Sequence, residues 1–139
     1  MAFIARLHPV IVHFPIALVI VAAAAEAAAT ATGSSRWRAV AVVNVRTAAA
    51  FGLAAVLAGW RLASATAMES TPLLEWHRWF GAIAAVSMAA AAIATWRGER
   101  RSVRDLWIYR IALVCAAASV AVAGHLGGML VWGVALLRP

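Results

Sequence analysis

The chain carries four imidazoles, His8, His13, His77 and His125. A neutral imidazole is a nitrogen ligand for iron, copper or zinc, and opposed imidazoles on facing helices can hold a cofactor between them. The segment Gly124-His125-Leu126-Gly127-Gly128 sets three glycines around one histidine, although each glycine inside a helix costs roughly 1 kcal/mol relative to alanine. Something must offset that cost. Small residues also follow the other histidines at helical spacing: Gly81, Ala84 and Met88 continue the face of His77, and Ala118 and Ala121 the face of His125. Two such faces in contact leave a slot that a flat macrocycle could fill.

The elements that must position these histidines are set by lipid. Of 139 residues, 65% are hydrophobic and 12% charged, and the mean hydropathy is +0.90, so the chain has about half the charge of an ordinary soluble domain. Four runs are long enough, at about 20 residues each, to cross the hydrocarbon. They cover roughly residues 7–31, 40–62, 77–96 and 107–137. Short breaks between them predict antiparallel neighbours, hence an all-α polytopic membrane protein: one domain forming an antiparallel four-helix transmembrane bundle. The early Arg6 and the alanine-rich stretch before Ala31 resemble a secretory signal, but the run is too long and holds two His and two Pro, so it is read as a span.

Charge and tryptophan give the orientation. All seven tryptophans fall near span ends, with Trp37, Trp96 and Trp107 on one side and Trp60, Trp76, Trp79 and Trp132 on the other, where indoles favour the headgroup level. The net charge of +7 comes from twelve arginines and no lysine. Eight of these arginines lie near the first and third breaks and four near the termini and second break, which predicts both termini on the periplasmic side of a bacterial inner membrane. The arginines are interleaved with apolar runs, so no nucleic-acid partner is expected; membrane lipid is.

All four histidines then map to the outer half. His8 and His77 are expected at the interface, whereas His13 and His125 reach a similar, greater depth and are the first choice for axial ligation. His8 and His77 form a second site or support the first. Gly124 and Gly128 line the slot, and Arg6, Arg61 and Arg78 lie where acidic groups of a cofactor would emerge. Pro15 should kink the first span beside His13. Deeper in the other half, Glu26 and Arg46 are expected to pair across a hairpin or to snorkel toward the inner surface. The single cysteine, Cys115, excludes a thiolate-ligated iron–sulfur cluster and a CxxCH attachment of c-type haem. Neither a nucleophile with its base, nor HExxH, nor a phosphate loop is present, which excludes hydrolase and transferase readings.

These residues resemble a known family. Leu7 to Leu18, His77-Arg78-Trp79 and Gly124 to Gly133 are similar to the bacterial four-span membrane domain of unknown function with the signatures HPxxVHFPIAL and GHxGGxLVxG. Relatives occur with c-type cytochrome or Rieske-like modules, which implies redox work at the outer face of the inner membrane. The resemblance supplies no ligand roles, and this chain has no soluble redox module, so a redox partner would be a separate subunit.

The expectation is therefore an electron carrier or redox-complex subunit rather than a stand-alone enzyme: a membrane protein that binds one or two haem b through His13, His125, His8 and His77 and exchanges electrons with a periplasmic cytochrome. A homo-oligomer is compatible with it. The competing readings are a non-catalytic anchor or assembly subunit of a larger redox complex, and a copper or zinc site built from the same imidazoles.

Overall fold

A computed structural model describes residues 7–65, 69–96 and 102–133. They form a short helix α1 (His8–Ile11) and four long ones, α2 (His13–Thr32), α3 (Ser35–Ala65), α4 (Pro72–Ala94) and α5 (Val103–Trp132). Among the described residues there is no strand. With α1 and α2 counted together, the four spans hold 25, 30, 23 and 30 residues. The shortest is still about 34 Å long, enough for the hydrocarbon.

The helices extend beyond the apolar runs because their ends are set by caps. Thr71 accepts from the Leu74 amide with Pro72 in the first turn, so the third span begins five residues before His77. Ser102 and Asp105 close a reciprocal capping box, so the fourth begins at Val103 rather than Trp107. Its expected end at 137 lies outside the described residues. Gly33, at φ 68°, turns the chain from α2 into α3, a left-handed conformation that glycine adopts without a Cβ clash. At the other end of the first span Pro15 has no N–H to give Ile11, and the helix is interrupted at Val12, between α1 and α2.

Successive long helices pack side by side, and α2 also touches α5, which closes the ring. The interior is built from small side chains, including Ala22 and Ala25 on α2, Ala48 and Ala49 on α3, Ala84 and Ala91 on α4, and Ala116 on α5, with Tyr109 and Met88 as its largest fully buried members. Small residues let backbones approach closely, which is how helices gain contact in lipid, where apolar burial gives no net drive. Large apolar side chains such as Ile20, Val43, Leu57, Val86 and Val114 are exposed instead. They face the acyl chains.

Candidate functional site

The end of the bundle that carries α1 contains a cavity of about 640 Å³, within the range of small-molecule sites. His8, His13 and His77 line it, together with Arg78, Gly81, Gly124 and Gly128. Its walls are otherwise mainly apolar, among them Ile16, Leu74, Ala84, Met88 and Val120.

His8 and His77 are the histidines the fold brings together. Their ring centroids are 6.4 Å apart and their planes lie at 85°. Each Nδ1 is 2.9 Å from a backbone carbonyl oxygen on another helix, Ala55 for His8 and Ala123 for His77. A carbonyl can only accept, so each Nδ1 carries the proton and donates it. In the neutral ring this leaves the Nε2 lone pair available, the tautomer arrangement common in metal-bound histidines.

Two glycines make room for the rings. A Cβ at Gly59 would come within 2.7 Å of His8 Cε1, and one at Gly127 within 3.0 Å of His77 Cε1. The glycines of α3 and α5 thus act as the surfaces on which the imidazoles rest. By contrast, a Cβ at Gly81, Gly124 or Gly128 meets no atom within 4 Å and would project into open space. Gly127, though part of the glycine-rich segment, and above all Gly59, in Gly59-Trp60-Arg61, were not singled out as site residues by their sequence. A glycine inside a helix, less than two turns from the helix end, was the signal.

His13 lines the cavity but is exposed. His125 is exposed and does not line it. The expectation that Ala118 and Ala121 extend a slot inward from His125 fails, because all three residues are exposed on the outward face of α5. The interior face of that helix is the one carrying Tyr109, Leu113, Ala116, Val120 and Ala123. On α4 the expected face is the one that forms: His77, Gly81, Ala84 and Met88 all line the cavity.

Arg78 brings charge to the same space. Its Cζ lies 5.7 Å from the Trp60 ring centroid, and its Nε is buried with no hydrogen-bond partner among the described residues. A buried guanidinium N–H without an acceptor is costly, and an acidic group entering the cavity would satisfy it. Arg61 is exposed and Arg6 lies outside the described residues. No group of three or more His, Cys, Asp or Glu side chains among the described residues is placed to hold a metal ion. A metal at the cavity would therefore rest on the two imidazoles.

The expected pairing of Glu26 with Arg46 is replaced by another set of partners. Glu26 Oε1 receives Arg38 Nη1 at 3.0 Å and Arg110 Nε at 2.9 Å, while Arg46 donates to Thr95 Oγ1 at 2.8 Å and to the Thr95 carbonyl at 3.0 Å. Depth explains the exchange. Glu26 lies seven residues before the Gly33 turn and Arg38 five after it, so they come level in the hairpin, whereas Arg46 lies about two turns deeper.

The sequence model of the family described as Predicted membrane protein (DUF2231) matches residues 5–137, and the chain belongs to that family. No curated protein and no solved structure matches it.

Proposed function

We propose that this DUF2231 membrane protein binds haem b in its outer cavity, with His8 and His77 as the axial ligands, and carries electrons at the periplasmic side of a bacterial inner membrane. The observation that carries the reading is the geometry of the imidazole pair. A metal bonded at about 2 Å to a ring nitrogen on each side would separate two ring centroids by roughly 6 Å, and His8 and His77 stand 6.4 Å apart. Each ring is braced at Nδ1 by a carbonyl, so its orientation is fixed before any ligand arrives.

Other features of the cavity fit a macrocycle better than a bare ion. Two imidazoles alone are few ligands for copper or zinc, and the 640 Å³ of largely apolar space would be superfluous to an ion. Gly81, Gly124 and Gly128 leave the walls flat, and the unpartnered Nε of Arg78 suits a propionate. Bound haem supplies a one-electron couple, and the low-dielectric wall and the charge of Arg78 are the levers by which this chain would tune it. The only histidines in the sequence are 8, 13, 77 and 125, and with both termini periplasmic none of them would lie in the inner half. The protein alone therefore does not carry electrons across the whole membrane and hands them to a periplasmic partner, for which a cytochrome is the suited class.

The two carbonyl bonds would also serve a purely structural anchor, because they tie α1 to α3 and α4 to α5. Substitution separates the two readings. Haem content should be lost in His8→Ala and His77→Ala and retained in His125→Ala; retention in the first two, or loss only in the third, would overturn the assignment.

A further inference from the structure

The opposite end of the bundle carries a second concentration of unusual side chains. Glu26 is only 5% exposed, and its Oε1 receives guanidinium groups from two other helices, Arg38 on α3 and Arg110 on α5. Arg110 Nη2 also donates to Thr30 Oγ1 at 2.9 Å, and the Thr30 hydroxyl lies 3.4 Å from the same carboxylate oxygen. One carboxylate thus fixes two arginines and leaves a net charge of +1. Their remaining N–H groups have no acceptor among the described residues, and the two side chains keep 30% and 26% of their surface exposed.

We propose that Arg38 and Arg110 form a binding site for the phosphate of an anionic phospholipid, with Glu26 as the post that holds both guanidiniums in place. Basic pockets between helices on the cytoplasmic side of a membrane take such headgroups, and a planar guanidinium matches phosphate oxygens in a way a lone ammonium does not. Depth agrees. Trp37 adjoins Arg38 and Trp107 lies one turn from Arg110, and both indoles are exposed, marking the headgroup level. Exposed apolar side chains continue from there toward the bilayer centre, Val43 on α3 with Ile111 and Val114 on α5. They offer acyl chains a surface that free inorganic phosphate would not use, which favours the lipid as the source of the phosphate.

The test is native mass spectrometry of the full chain released from nanodiscs of phosphatidylglycerol mixed with phosphatidylcholine, counting the lipids that stay bound. Wild-type protein should retain phosphatidylglycerol selectively, and Arg38→Gln and Arg110→Gln should each lower that selectivity by roughly five-fold, the effect of one arginine at a lipid surface. Arg36→Gln removes the same charge from an exposed neighbour outside the clasp and should lower selectivity clearly less than either. Circular dichroism melts establish that each variant is folded. Equal losses in all three variants would show a diffuse field and overturn the site, as would selectivity unaffected in folded Arg38→Gln and Arg110→Gln. Displacement of the lipid by millimolar inorganic phosphate would mark the site as one for free phosphate and overturn its assignment to lipid.

Discussion

The imidazole rings of His8 and His77 have centroids 6.4 Å apart and planes at 85°, and each is pinned through Nδ1 to a helix other than its own. The angle has a spectroscopic consequence. Axial imidazoles with near-perpendicular planes would leave the iron dxz and dyz orbitals almost degenerate, so the oxidised haem should give a highly anisotropic low-spin electron paramagnetic resonance spectrum with one dominant low-field feature. A rhombic three-line spectrum would show parallel rings and contradict the pair as placed.

The glycines beneath the rings predict an ordering of variants. Gly59→Ala places a methyl 2.7 Å from His8 Cε1 and Gly127→Ala places one 3.0 Å from His77 Cε1. Both should lower haem retention, the former more. Gly81→Ala and Gly124→Ala meet open space and should leave the apoprotein folded and more stable by up to about 1 kcal/mol, the helix-propensity difference. Thermal melts with haem titrations check both halves of the statement.

Arg78 separates cost from use. Its buried Nε has no partner, so Arg78→Met removes an unsatisfied donor and should leave the apoprotein at least as stable as wild type, relieving about 1 kcal/mol or more. The same change should weaken haem binding. A fall in apoprotein stability with unchanged haem affinity would assign Arg78 to packing, through its contact with Trp60.

At the other end, Glu26→Gln removes the charge that two guanidiniums share. Losing one member of a buried ion pair costs about 3 kcal/mol at the low end of the usual range, and the low end applies because both arginines are part exposed. Denaturant titration of the detergent-solubilised protein should show that loss. Arg46→Gln should cost less, since its partner Thr95 is neutral and keeps its own bond to the Ala92 carbonyl.

Much of this fold was legible in the sequence because lipid imposes length and composition on a span, and the tryptophans and short breaks agree with those lengths. What could not be read was the rotation of each helix. In α5 nearly every position is apolar or small, so hydrophobicity has no period to follow. His125 lies two positions beyond the buried Ala123, about 200° around the helix, and faces outward. A weaker signal was present: Asp105, Tyr109 and Ser119 carry polar groups and are all buried, and in lipid it is the polar members of a helix that mark its inner face. His8 and His77 stood at span ends, where a histidine can simply meet water. Only the packing of α1 on α3 and α4 on α5 brings their rings together. The Glu26 partners were missed for a different reason, since counting residues from the Gly33 turn would have favoured Arg38.

The most direct measurement is the absorption spectrum of the protein purified in mild detergent, oxidised and dithionite-reduced, with a pyridine haemochrome assay for haem per chain. Ligation by the His8–His77 pair predicts the sharp reduced bands of a six-coordinate b-type haem, one per chain. A folded protein without colour that takes up no added haem would contradict it.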